Sequence, residues 1–177
     1  DEAGVDIAVI SGAEEARLIR LGVLQAVPAF GQRHLLVDIG GGSTEFVIGE
    51  EAKVLSARSL KLGAIRLTER FVRSDPPEAS ELDRMRAAVD DVLDDVDRAI
   101  PARDAHTFVA VAGTSTTVQA VALELDFYDP ERIHRTRLSR DEAARVASRL
   151  AAMTTAERAA LPVMAPGRAD VIVAGSV

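Results

Sequence analysis

The order of apolar and polar positions divides the chain into alternating extended and helical stretches. Val5 to Ile10 alternates as a strand. Ser11-Gly12-Ala13-Glu14 then has the spacing of a capping box, opening a helix that carries Ala16, Leu18, Ile19, Leu21, Val23 and Leu24 before Pro28 ends it. Leu35-Leu36-Val37-Asp38-Ile39, Thr44-Glu45-Phe46-Val47-Ile48-Gly49 and the run from Lys53 to Leu60 are short extended segments separated by glycine and turn residues, which predicts an antiparallel meander. A helix follows over Ala64 to Val72, Asp75-Pro76-Pro77 breaks it, and a long amphipathic helix spans Glu78 to Ile100. Thr107 to Ala112 is a buried-type strand that leads through Gly113-Thr114-Ser115-Thr116-Thr117 into a helical pattern from Val118 to Leu125. From Asp126 to Pro166 the pattern is a loop and two helices, with Ser139 and Glu142 spaced as a second capping box, and Asp170-Val171-Ile172-Val173-Ala174 is a final strand.

Three meandering strands, helices, strand, helix, helical insertion and strand make the succession expected of a ribonuclease-H-like lobe, an α/β unit with a mixed five-stranded sheet and flanking helices. A final strand would normally be followed by a covering helix, and the chain does not open with Met, so the expectation is a piece of a longer protein. Its 177 residues and large apolar fraction suffice for one continuous core. A net charge of −7 opposes broad attraction for nucleic acid, whose binding draws on Lys and Arg. The absence of cysteine excludes disulfides, thiolate zinc sites and cysteine nucleophiles. No run approaches the ~20 apolar residues of a membrane span, and the first residues lack the basic and apolar regions of a signal peptide. Neither a membrane nor nucleic acid is therefore expected as a partner, and a cytoplasmic location fits.

Several segments could carry chemistry. Gly40-Gly41-Gly42-Ser43-Thr44 allows close backbone approach to an anion, with several N–H groups pointing at it. It is neither a Walker loop nor a dinucleotide fingerprint, and a plain glycine-rich hairpin accounts for it equally well. Asp38 and Glu45 bracket the loop, where carboxylates beside a phosphate would hold Mg²⁺; as strand-end charges they need no ligand. Gly113 and Thr114 open a helix whose N-terminus favours anions, and Thr114 or Ser115 could equally be an ordinary cap. Arg168, in Gly167-Arg168-Ala169-Asp170, could meet a phosphate or base, with Asp170 orienting it, or could be a surface cation. Glu14 completes the box with Ser11, whereas Glu15 has no capping role and is free to face a cleft or to serve the helix dipole. The run Asp90, Asp91, Asp94, Asp95 and Asp97 is a solvated helix face. His34, His106 and His134 show no metal spacing, and no His-Asp system is evident to activate Ser43.

Taken in order, Ile10 to Leu18, Val37 to Gly49, Ser59 to Glu69, Val111-Ala112-Gly113-Thr114 and Gly167 to Ile172 resemble the signature blocks of the exopolyphosphatase/guanosine pentaphosphate phosphohydrolase (Ppx/GppA) family, in the actin-like superfamily. The resemblance covers essentially the whole chain. It implies hydrolysis of a terminal phosphoanhydride of polyphosphate or guanosine pentaphosphate, with Mg²⁺ or another divalent cation as cofactor. It places Glu15 at the catalytic glutamate, and Asp38, Gly41, Gly42, Ser43 and Glu45 on a phosphate/metal block. Gly113, Thr114 and Arg168 fall on the distal cleft, and Lys61 and Arg66 are further cations available to an anionic chain. The implied organisation is a lobe-junction strand and helix over 1–30 and a second ribonuclease-H-like lobe over 31–177, with a helical insertion at about 126–166. The family's first phosphate loop has no counterpart here, so the first lobe is an expected partner and the chain alone is expected to be inactive. The resemblance allows a homodimer without requiring one. Two other readings fit the same segments: a lobe of an actin-like kinase, against which the Glu15 block argues, and a regulatory module that binds guanosine tetra- or pentaphosphate without turnover.

Overall fold

The computed structural model describes residues 10–26, 32–51 and 53–177; the strand expected from Val5 lies outside them apart from Ile10. Helix α1 (Gly12–Ala26) precedes a meander of β1 (Arg33–Ile39), β2 (Thr44–Glu50) and β3 (Lys53–Leu60). Helices α2 (Ala64–Phe71) and α3 (Ala79–Ala99) follow, then a 3₁₀ turn at Ala102–Asp104, β4 (Thr107–Val111) and α4 (Ala112–Ala122). Short α5 (Pro130–Ile133), α6 (Arg140–Ala151), short α7 (Thr155–Ala159) and α8 (Ile172–Ser176) complete the order. The strands form one mixed sheet in the order β3-β2-β1-β4, with β1 antiparallel to β2 and parallel to β4.

Several expectations are corrected among the described residues. The sheet has four strands rather than five, and the final apolar run is helix α8, not a strand. The Arg168 carbonyl accepts from the amides of Val171 and Ile172, which winds the chain into a turn. Ile172, Val173 and Ala174 are then all buried, and a short run buried on every side carries no period by which strand and helix differ. Helix α4 also starts at Ala112, six residues before its apolar pattern begins, three helices rather than two fill 126–166, and β4, expected as a buried-type strand, lies at the sheet edge with Thr107, Phe108 and Ala110 exposed. The capping box at Ser139 and Glu142 is present in both directions.

Alternation along the strands sends successive side chains to opposite faces. Val37, Phe46 and Ile48 pack on one face with Val96 and Ile100, from α3 and its C-terminal cap. Leu36 and Val47 pack on the other with Ala16 of α1, flanked by Ile19, Val23, Ala57, Val109 and Val111. The inner stripe of α1 thus reads 16, 19, 20, 23, with Arg20 only 3% exposed, while Leu18 and Leu21 face outward. A separate core joins α4, α6 and α8 around Val118, Leu150 and Ile172. Asp90, Asp91, Asp94 and Asp95 lie on the exposed side of α3, and no group of three or more metal-ligating side chains occurs among the described residues. No helix among them is long and apolar enough to cross a membrane.

Candidate functional site

Because β1 runs antiparallel to β2 and parallel to β4, the end of β1, the start of β2 and the end of β4 share one edge of the sheet. The β1–β2 turn and the β4–α4 junction therefore meet there, at the carboxyl ends of the two parallel strands, where open α/β sheets commonly bind ligands. On the face covered by α1 the inward positions run His34, Leu36, Asp38 on β1 and Gly49, Val47, Glu45 on β2. The same rows that bury Leu36 and Val47 end in carboxylates at the edge. Asp38 lies opposite Glu45 and beside Val111. Glu45 is buried, and its carboxylate accepts from the Ser59 hydroxyl at 2.6 Å.

Glu15, exposed in the first turn of α1, completes the group. Burial, then the charges of Glu45 and Glu15, hold the Asp38 carboxyl above its ordinary range. The charges of Glu45 and Glu15 therefore both reach Asp38 at the sheet edge. Glu14 does a different job. Its amide donates to Ser11 Oγ at 3.3 Å and its carboxylate takes two bonds from Arg17, at 2.7 and 2.8 Å, which hold it below its ordinary range. Of the two adjacent glutamates, the structure ties up Glu14 on its own helix and leaves Glu15 beside Asp38.

The glycine turn is strapped to the start of α2. The Gly40 and Gly41 carbonyls accept from the amides of Ala64 and Ile65, both at 3.0 Å, and Arg66 Nε donates to the Gly42 carbonyl at 2.7 Å. The Gly40 amide turns inward to the Ser43 carbonyl, and the buried Thr44 hydroxyl donates to the Leu62 carbonyl. Gly40 and Thr44, both expected among the phosphate-binding residues, therefore build the turn by these groups rather than offer them to a ligand. The amides of Gly41, Gly42 and Ser43 donate to no described residue, so three N–H groups remain for an anion.

The second candidate loop lies beside the first. Gly175 of α8 sits against both Thr114 and Ala64, linking the start of α4 to the start of α2. The Arg168 guanidinium lies over Gly113 so closely that any Cβ there would collide with it. Its Nε is buried without a partner, and the first N–H groups of α4 have no intrahelical acceptor. Arg158, 2% exposed, holds this segment by donating to the Ala169 carbonyl at 2.6 Å. Asp170 is exposed. Ser115 and Thr116 bond back to the turn carbonyls, and Lys61 is exposed.

The donor set suits a hard divalent cation. Asp38 and Glu45 offer only oxygen and stand opposite one another, and burial followed by the charge of Glu45 raises the Asp38 proton affinity. Mg²⁺ needs one or two carboxylates, with phosphate oxygens and water filling the rest, so a cage of three protein ligands is unnecessary. Gly63, Arg20 and Arg158 were not singled out as contributors to the site by sequence. Of these, Arg20 alone carries a visible signal, a cation inside an apolar helical stripe.

Comparison with known proteins converges. The model of the Ppx/GppA phosphatase family matches residues 1–177. Exopolyphosphatase 2 of Mycobacterium tuberculosis is 43% identical over 169 residues, which are 96% of this chain and 53% of that protein. The crystal structure of the Aquifex aeolicus Ppx/GppA family member superposes with a TM-score of 0.89 at 30% identity, over 98% of this chain and 55% of that one. That of an exopolyphosphatase from Cytophaga hutchinsonii gives 0.83 at 32% identity, over 97% and 56%. The chain spans about half the length of these relatives.

Proposed function

The chain belongs to the Ppx/GppA phosphatase family, and from that premise we propose that it forms half of the active site of a phosphohydrolase releasing terminal phosphate from inorganic polyphosphate, guanosine pentaphosphate or both. The observation that carries the reading is the pairing of Asp38 with Glu45, within reach of the Glu15 charge, beside three unengaged amides at one sheet edge. Relatives named exopolyphosphatase support the substrate class.

The free amides of Gly41, Gly42 and Ser43 hold the terminal phosphate, and Arg168 with the first turn of α4 receives phosphates further along. Glu15 accepts the proton of a water whose oxygen attacks the terminal phosphorus. The phosphoanhydride bond breaks, and its electron pair leaves on the shortened chain. Such transfers pass through a loose transition state that needs positioning and charge neutralisation more than covalent chemistry. Asp38 and Glu45 would hold Mg²⁺, which supplies neutralisation of phosphate charge when bound. The remainder of the protein supplies the opposing phosphate loop.

Phosphate release by the intact protein, measured with polyphosphate and with guanosine pentaphosphate, with Mg²⁺ or with chelator, tests this. Metal-dependent release is expected from at least one substrate. Tight binding without release would instead identify a non-catalytic nucleotide sensor.

A further inference from the structure

Helix α1 is exposed where it carries Glu15, and the geometry points to a device that sets its position: we infer that Arg20, clamped over Gly49, is a positioning residue that fixes where Glu15 stands relative to Asp38. This rests on the reading of Glu15 as the base. Arg20 occupies the inner stripe of α1 between Ile19 and Val23, where its neighbours in the pattern are apolar, yet it is 3% exposed. Its Nη2 donates to the Glu51 carbonyl at 2.9 Å and the Lys53 carbonyl at 3.0 Å, both at the β2–β3 turn.

The receptor for this guanidinium is built into the sheet. Pairing of β2 with β3 shifts register between Ile48 and Gly49, and Glu51 has a positive φ of 49°, which brings two turn carbonyls together. Gly49 supplies the space. A Cβ there would stand 2.6 Å from Arg20 Nε and 2.9 Å from His34 Nε2, closer than side chains approach. Its φ lies outside the left-handed range, so a side chain there would be opposed by the space that Arg20 and His34 occupy rather than by its backbone conformation.

One line then runs beneath the helix. Arg20 lies over Gly49 and His34, Ala16 packs with Leu36 and Val47, and Glu15, one residue before Ala16, is close enough for its charge to act on Asp38. A helix held only by Ala16, Ile19 and Val23 could slide or roll on an apolar surface, because such contacts are not directional. Two hydrogen bonds to fixed carbonyls remove that freedom. Glu15 lies five residues from the clamp, roughly 7.5 Å along the axis, so release at Arg20 is felt at the carboxylate.

The test compares kcat and KM for phosphate release by the intact protein carrying Arg20→Met, Arg20→Lys, Gly49→Ala, the Arg20→Met/Gly49→Ala pair, or Glu15→Gln. Methionine keeps the buried stem without the directional bonds. A misplacement of about 1 Å can cost about 10²-fold, so Arg20→Met and Gly49→Ala are expected to lower kcat by roughly 10- to 100-fold while KM stays within about threefold. Lysine should fall between, and the pair should lose no more than its worse member, as one shared contact requires. A purely structural role would lower melting temperature and leave kcat of the folded protein unchanged. Should Arg20→Met not fold, Gly49→Ala reaches the clamp without touching the helix. Wild-type kcat in either folded variant, or a loss confined to KM, overturns the inference while Glu15→Gln still loses turnover. Full turnover by Glu15→Gln overturns the reading of Glu15 and the inference with it.

Discussion

Gly63 is the position at which a single methyl group should disable the phosphate loop without unfolding the protein. Its φ of −129° suits any residue, so the backbone tolerates alanine. The space does not. A Cβ at Gly63 would stand 2.5 Å from the Gly41 carbonyl carbon and 2.6 Å from that of Gly42, whereas ordinary contact begins near 3.4 Å. These neighbours are backbone, so relief requires about 1 Å of separation (3.4 − 2.5 ≈ 0.9) between the loop and α2. That movement pulls on the bonds from Ala64 and Ile65 to Gly40 and Gly41 and re-aims the three free amides. A displacement of this size is expected to cost about 10²-fold in kcat/KM, or about 2.7 kcal/mol of transition-state stabilisation. The assay is phosphate release from polyphosphate by the intact Gly63→Ala protein, with thermal melting to confirm the fold. Gly22→Ala is the control, because nothing lies within 4 Å of a Cβ there. A folded Gly63→Ala protein with wild-type kcat/KM would refute the assignment of this loop to phosphate.

Asp38→Asn should abolish turnover yet raise the melting temperature at neutral pH in chelator. The folded-state pKa of Asp38 is raised by burial and by Glu45 and Glu15. Its ionisation therefore weakens the fold as pH climbs from the unfolded value through the folded one, and the advantage of asparagine should vanish below about pH 4. Added Mg²⁺ should raise the melting temperature of wild type more than that of Asp38→Asn; equal shifts would contradict the metal assignment. Glu81 is 4% exposed and accepts from the amides of Arg73, Ser74 and Glu78, which holds its pKa low. Glu81→Gln should thus melt lower at pH 7, with the gap closing as pH falls through that depressed pKa, and a gap independent of pH would refute the ionised-acceptor account. The 177-residue chain by itself should release phosphate only at background rates; robust Mg²⁺-dependent turnover would remove the need for an opposing loop.

The meander and the long α3 are legible because each has a clear period and clear punctuation, whereas the apolar run of β4 reads as buried although it forms an exposed edge of the sheet with Phe108 64% exposed. Glycines and turn residues bracket β2, and Leu82, Met85, Val89 and Val96 recur at helical spacing on α3. Helix α8 was misread as a strand because Ile172, Val173 and Ala174 are buried together, which erases the period. The separation of Glu14 from Glu15 was readable in outline from Ser11, although the main partner of Glu14 proves to be Arg17. The glycine turn was visible as a run of glycines, but which of its amides remain open depends on Gly63 and α2, some twenty residues downstream. Arg20 is not legible as part of the site, because a cation in an apolar stripe looks like a flaw in the pattern until the carbonyls of Glu51 and Lys53 meet it in the fold.

The division of labour between adjacent glutamates is the most direct test of the whole account. Phosphate release and substrate binding are measured side by side for the intact protein carrying Glu15→Gln or Glu14→Gln. Glu15→Gln should lose roughly 10²- to 10⁴-fold in kcat, the range for a lost general base. Its affinity should hold or tighten slightly, since a negative charge leaves the neighbourhood of a polyanion. Glu14→Gln should retain near wild-type turnover, because its carboxylate serves Arg17 and not the cleft. Equal losses in the two variants, or a greater loss at Glu14, would contradict the account.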